Sequence, residues 1–298
     1  MAEASPLREG RAAEGHGVRG ADAGERSRAR GADAAGRGWL ASIGDALVSV
    51  FFPAGCRICD ELLTSANRVP ICGACLASFV PVPQPACEVC GRPLPAFVNE
   101  PASVRDEGRA LLCPACRDKT YAFERARSFA VYEGALVQAI LLLKYEQIEP
   151  LGAWFAERLA EVVKEQGSAL AADVVVPVPL HRQRERERGY NQAALLSKPL
   201  AKRLGLPHKA VLLMRTRARP EKQILTLEER WESVRGAFAT RPGSQVDNLR
   251  VLLLDDVLTT GATLDACARA LLEAGAKSVV GLTVARAARN PLPSSSEW

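Results

Sequence analysis

The sequence predicts an α/β protein: a parallel sheet flanked by helices, preceded by a small cysteine-rich module. Three observations predict it. Val251-Leu252-Leu253-Leu254 is a run of four aliphatic residues that ends on Asp255 and Asp256. Such a run reads as a strand buried on both faces, as in a parallel sheet. A small polar loop follows, then Leu264, Cys267, Ala268, Leu271 and Leu272 at helical spacing, a closing Gly275, and a second apolar strand over Val279–Val284. Strand, helix and strand make a βαβ unit. The second observation is another strong strand, Asp173–Val178, stopped by Pro177 and Pro179. The third is that eight of the nine cysteines fall in four Cys-x-x-Cys pairs before residue 117.

With 298 residues the chain has room for two modest domains and a sizeable core. The expected organisation is a disordered tail over 1–38, a short helix plus the cysteine module over 39–122, and the α/β domain over 123–298. A hydrophobic content of 48% suits a globular protein, and a net charge of +5 suits an anionic ligand without demanding nucleic acid. No run reaches the ~18 apolar residues of a membrane span, and no secretory cleavage pattern opens the chain. The expected compartment is therefore the reducing cytoplasm. Residues 1–38 are Ala, Gly, Arg, Glu and Asp without apolar period, a solvated low-complexity tail. Trp39 to Phe52 carries Leu40, Ile43, Leu47, Val50 and Phe51 on one face, which predicts a short amphipathic helix ended by Pro53.

The pairs are Cys56/Cys59, Cys72/Cys75, Cys87/Cys90 and Cys113/Cys116. Each can turn two thiolates toward one point, and two such turns complete the four-thiolate tetrahedron that structural zinc takes. Four regular pairs in a reducing compartment weigh against disulfides or free thiols. An iron–sulfur cluster is the lesser alternative. Sequential pairing gives two zinc ribbons in tandem; interleaved pairing stays open. A closed four-thiolate site has no free position, so the expected role of both zinc ions is structural. Cys267 lies on the apolar face of a helix and reads as a core thiol.

From Phe123 the cysteine pairs stop. Ala126–Tyr132 reads as a strand and Leu136–Leu143 as an apolar helical run ending on Lys144-Tyr145. Leu151–Lys164 is an amphipathic helix with Trp154, Phe155, Leu159 and Val162 inward. Between Leu180 and Gln192, arginines alternate with acids; the bland reading is a solvated helix start with local ion pairs. The loop nevertheless leaves the carboxyl end of a parallel strand, where ligands bind in open α/β folds. Ala193–Leu204 is a helix, with an interruption expected near Pro199. A short strand follows over Val211–Met214. Arg215 to Gln223 is basic and pattern-poor, either an exposed connector or a lid over a bound anion.

Amides that open a helix lack intrahelical acceptors, and the helix dipole puts partial positive charge there. Gly261 and Ala262 let the backbone of Thr259-Thr260-Gly261-Ala262-Thr263 approach an anion closely, and the threonine hydroxyls add donors. This is a phosphate cradle. Asp255 and Asp256 would repel phosphate. They suit the hydroxyl donors of the same ligand, with a divalent cation nearby. Carboxylates followed by a phosphate loop describe a ribose 5-phosphate.

The thirteen residues Val251 to Thr263 resemble the phosphoribosyl pyrophosphate (PRPP) loop of type I phosphoribosyltransferases. The resemblance implies that Asp255 and Asp256 hold the ribose hydroxyls and Thr259–Thr263 the 5-phosphate. It also implies that the loop after the Asp173–Val178 strand meets pyrophosphate, with Arg188, Gly189 and Asn191 as the expected contacts. Across about residues 45 to 287 the chain resembles the ComF family of competence-associated proteins, which join a double zinc ribbon to a phosphoribosyltransferase-like domain. The marks are Phe52-Pro53, Cys90-Gly91-Arg92-Pro93, Leu143-Lys144-Tyr145, Val176-Pro177-Val178-Pro179, Arg188-Gly189-Tyr190-Asn191-Gln192, Gln223, Arg230, Gly236-Ala237-Phe238 and the PRPP loop. Ser233 departs from the asparagine expected there. The resemblance implies a type I phosphoribosyltransferase-like sheet, PRPP with magnesium, and a setting in DNA uptake with a competence helicase, DNA-processing proteins and single-stranded DNA. Two functions stay open: phosphoribosyl transfer with pyrophosphate release, or a non-catalytic nucleotide or single-stranded-DNA adaptor. No residue announces itself as catalytic, and no segment reads as an acceptor-base pocket.

Overall fold

A computed structural model describes residues 55–63, 69–95, 110–118, 121–218 and 226–287. The expected tail, the helix expected over Trp39–Phe52, and Gln223 lie outside the described residues. The centre of the fold is a four-stranded parallel sheet. Its strands are β1 (Arg125–Val131), β2 (Val174–Pro177), β5 (Arg250–Leu258) and β6 (Ser278–Arg286), in the order β1-β6-β5-β2. A two-stranded antiparallel pair, β3 (Leu213–Arg215) and β4 (Phe238–Thr240), stands apart from it.

The predicted two-face burial of β5 is seen directly, since Val251, Leu252, Leu253 and Leu254 are all fully buried. Alternation along the strand sends Leu252 and Leu254 to one core and Val251 and Leu253 to the other. The first core lies under α3 (Gly134–Tyr145), α4 (Glu149–Gln166) and α6 (Gln192–Leu204), through Leu136, Phe155 and Leu196. The second lies under α8 (Ala262–Glu273), through Leu264, Cys267 and Leu271. Cys267 is fully buried, as expected of a core thiol.

One expectation changes. The helix over 193–204 is not interrupted: α6 runs unbroken with Pro199 inside it. Proline has no N–H to offer the Leu195 carbonyl one turn back, which ordinarily costs a helix dearly. Here that carbonyl faces Gly152 of α4, so closely that a Cβ at 152 would lie 2.9 Å from it. The two helices pack backbone to backbone at this point, and Leu196, Leu200 and Ala201 remain buried on either side of the proline. The arginine-rich stretch takes the form of its bland reading, an exposed helix. Arg182–Arg188 is a helix, α5, which His181 caps by accepting from the Gln183 N–H at 3.4 Å. Gln183 donates to Glu187 at 3.0 Å on its exposed face. Downstream, α7 (Leu227–Glu232) starts on a capping box between Thr226 and Glu229.

The cysteine pairs combine in sequence. The Sγ atoms of Cys56, Cys59, Cys72 and Cys75 all lie within 4.8 Å of one another, and so do those of Cys87, Cys90, Cys113 and Cys116. Measured separations are 3.9 Å for Cys56–Cys75, 3.6 Å for Cys59–Cys72 and 3.7 Å for Cys90–Cys113. Zinc–sulfur bonds of ~2.3 Å in a tetrahedron require sulfurs ~3.8 Å apart, so the residues present fit zinc. A disulfide would need ~2.05 Å. Short helices α1 (Gly73–Ala77) and α2 (Pro114–Asp118) carry one thiol pair's turn in each ribbon.

The ribbons also close the sheet. An edge strand presents unpaired N–H and C=O groups to any passing chain. On β1 the Ala126 N–H donates to Val89 O at 2.7 Å and the Val131 N–H to Val80 O at 2.8 Å. Beyond β2, Val175 pairs with Pro207 and Lys209 at 2.9 and 3.0 Å. Both edges are therefore covered.

Elemental analysis should find about two zinc ions per chain, falling to about one in Cys59→Ser and in Cys116→Ser. The second variant should lose more thermal stability, because its cluster also accepts hydrogen bonds from the buried Arg286 guanidinium. Gly152→Val should destabilise the domain by about 1–3 kcal/mol in urea unfolding, as side-chain atoms meet the Leu195 carbonyl.

Candidate functional site

The carboxyl ends of β2 and β5 open on a crevice of about 270 Å³. It lies where ligands bind in open parallel sheets. Asp255 and Asp256 line it as β5 emerges, followed by Thr259, Thr260, Ala262 and Thr263. Gly261 adopts φ +84°, a left-handed turn that suits glycine, and α8 begins at the next residue. The Ala262 N–H reaches Thr260 Oγ1 at 3.3 Å, and the Asp265 N–H closes the first turn on Gly261 O at 2.8 Å. The loop and the helix start thus stand beside the acid pair in one cavity.

The two acids are not equivalent. Burial pushes the Asp256 carboxyl up, but the Lys144 ammonium 2.5 Å away more than offsets it, and the net direction is down. Burial, and then the neighbouring Asp256 charge, hold Asp255 well above the usual carboxylate range. Asp256 is the firm anion of the pair, and Asp255 is the one that keeps a proton more readily. Burial lowers the Lys144 ammonium, and Asp256 more than restores it. Sequence reasoning gave Lys144 no role. Besides its place among the family marks, its signal was a cation closing an otherwise apolar helical run, a place where a buried partner is needed.

Arg184, Arg188, Arg215 and Arg230 also line the crevice, giving it a cationic side opposite in charge to the acid pair. Arg188 lies over the Tyr145 ring at 5.1 Å and donates to Gln192 Oε1 at 2.6 Å. Gly189 and Asn191 do not line the cavity. Gly189 ends α5 in a left-handed turn, and Asn191 is buried as the cap of α6. The Asn191 amide donates to Val178 O at 3.0 Å, and its carbonyl accepts from the Ala193 N–H at 2.9 Å. Both residues shape the loop that presents Arg188. Ser233 lines the cavity with its hydroxyl donated to Arg230 O at 2.8 Å. Of the basic segment expected as connector or lid, Arg215 reaches the crevice from β3, and residues 219–225 lie outside the described residues.

Behind the loop lies Arg286, the bulkiest fully buried side chain among the described residues. Its Nη1 donates to Leu258 O at 2.8 Å, Thr259 O at 2.8 Å and Ala287 O at 2.9 Å. Its Nε donates to Cys90 O at 2.9 Å, and its Nη2 to Cys90 Sγ at 3.4 Å. A guanidinium in contact with the Cys90 sulfur favours its thiolate, the form that binds zinc. Tyr121, five residues after Cys116, donates to Thr260 O at 3.0 Å. Its ring fills the space beside Gly261, where a Cβ would fall 2.8 Å from Tyr121 Cε1. No sequence pattern flagged Arg286 or Tyr121.

Comparison with known proteins agrees with this arrangement. Residues 47–117 match the double zinc ribbon domain family, and residues 191–298 match the phosphoribosyl transferase domain family. The chain is 30% identical to the DNA utilization protein YhgH of Salmonella typhi over 231 residues, covering 76% of this chain and 94% of that one. It is 29% identical to competence protein ComFC of Bacillus subtilis over 224 residues, covering 72% and 84%. A solved glutamine PRPP amidotransferase from B. subtilis overlaps 45% of this chain and 26% of its own at 24% identity, with a TM-score of 0.31. Two four-cysteine clusters, a parallel sheet ending on an acid pair and a threonine loop, and a relative matched along nearly its whole length place the chain in the ComF family, whose members join a double zinc ribbon to a phosphoribosyltransferase-like domain.

Proposed function

We propose that the crevice binds a 5-phosphorylated ribose, PRPP or the 5-phosphate end of a nucleotide. The observation that carries this reading is the sequence of chemistry along one cavity wall: an acid pair, then a threonine loop at a helix start. Anionic phosphate belongs at the loop, where amides and hydroxyls converge near the positive end of α8. The ribose hydroxyls belong at Asp255 and Asp256, which accept hydrogen bonds. Arg188, with Arg184, Arg215 and Arg230 beside it, is the place for pyrophosphate. Gly189 and Asn191 support that loop from behind. Magnesium bound with the ligand would screen its pyrophosphate, and the oxygen-rich wall of Asp255 and Asp256 has the hard donors it takes.

For transfer, these residues offer electrostatic help. Departure of pyrophosphate builds negative charge among the arginines and positive charge on the sugar beside the acids. An adaptor that holds the ligand without turnover would use the same contacts. The relatives' names, DNA utilization and competence, favour a setting in DNA uptake, with a helicase, DNA-processing proteins and single-stranded DNA as partners. Aromatic residues make up 5% of the chain, which weighs against extensive base stacking and toward docking through the ribbons. The cytoplasm is the compartment this reading implies.

Calorimetry with PRPP and magnesium should show saturable binding to the wild-type chain. The double variant Asp255→Asn/Asp256→Asn should weaken it by about 10–100-fold, the loss expected for hydrogen bonds to charged acceptors. Wild-type heat no larger than that of the variant would sink the reading. Pyrophosphate release with a panel of purine and pyrimidine bases separates enzyme from adaptor.

A further inference from the structure

We infer that the second zinc ribbon sets the shape of the phosphate loop, with Arg286 and Tyr121 as the positioning residues that transmit it. Three consecutive loop carbonyls, Leu258, Thr259 and Thr260, are each gripped by one of these two side chains at 2.8 to 3.0 Å. In a planar trans peptide the C=O and the following N–H point in opposite directions. Pulling those carbonyls to the rear therefore turns the amides of Thr259, Thr260 and Gly261 away from the ribbon, toward the crevice that Thr259 and Thr260 line. Arg286 touches the metal cluster directly, and Tyr121 adjoins it in sequence. Arg286 bonds Cys90 through its carbonyl and its sulfur. Tyr121 follows Cys116 closely in sequence, and its ring occupies the room beside Gly261.

A zinc ion with four thiolates carries net negative charge, which compensates the buried guanidinium from the side that the carbonyls do not reach. Without the metal the cluster loses its fixed geometry, and Arg286 loses a partner. Its remaining bonds are those to the loop and strand ends, which then have no rigid backing. The first cluster is different. Among the described residues its cysteines make no hydrogen bond to the loop, and Cys56 and the neighbouring Ile71 pack in the core under α3 and α4. The two zinc sites thus divide: one supports packing, the other holds a binding loop in register. This rests on the proposed reading of the loop as the phosphate site.

Hydrogen exchange by mass spectrometry on the full chain tests the coupling without any ligand. The peptide spanning residues 258–266 should exchange ~5-fold faster in Tyr121→Phe, the loss of one hydrogen bond, and at least as much in Cys116→Ser. Cys59→Ser should leave it at the wild-type rate, and β2 should be unchanged in Tyr121→Phe. Wild-type loop exchange in Tyr121→Phe would overturn the inference, as would an equal rise in Cys59→Ser. Where Cys116→Ser loosens the whole domain, Tyr121→Phe alone decides. In calorimetry, Tyr121→Phe should bind PRPP with magnesium ~5-fold more weakly than wild type, and equal affinity would overturn the inference. A wild-type chain that binds no PRPP would instead defeat the reading of the site, leaving the exchange result to stand on the loop alone.

Discussion

Arg286 is the interaction around which the rest is arranged. A guanidinium sealed from water is stable only where acceptors meet it on several sides, and removing a partner from a buried charge typically costs about 3–5 kcal/mol. Its acceptors here come from three places in the chain: the second ribbon, the end of β5 with the first residue of the loop, and the end of β6. None of the three can be displaced without exposing the charge to an uncompensated interior. The metal module, the sheet and the loop after β5 are therefore bound to assemble together. The zinc ribbons are small and have little core of their own, and metal with docking supplies what burial does not.

The crevice follows from this assembly. β5 brings the acids out at its carboxyl end, and α8 brings its amino end to the same point. The turn between them is short because Gly261 takes a backbone conformation other residues resist. Lys144 arrives from α3 on the opposite side and neutralises the deeper acid. α5 then supplies arginines from the next strand over. One side of the cavity carries the acid pair and the other the arginines, a division set by strand order and not by any single residue.

Much of this was legible in the sequence because local chemistry and global position agreed. The aliphatic run of β5 has no other stable place than the middle of a sheet. The acids, threonines and glycine after it have few reasons to stand together except a ligand. The Cys-x-x-Cys spacing carries its own geometry, although only the structure chose sequential over interleaved pairing. What stayed hidden depended on distant partners. Pro199 reads as a breaker, yet α6 runs through it, packed closely on Gly152, 47 positions earlier. Asn191 is expected as a pyrophosphate contact, yet its amide is committed to a helix cap and to Val178. Arg286 sits at the end of an apolar strand with no motif around it. Its importance comes from contacts with Cys90, 196 residues away in sequence.

The covered borders of the sheet carry a consequence for recruitment. One flank is occupied by backbone from the metal module, and the other by the short stretch around His208. Among the described residues, much of the hydrogen-bonding edge onto which a foreign peptide could zip as an added strand is already taken. Selectivity toward another macromolecule is then written more in side chains, on helices, ribbons and loops, than in main-chain complementarity.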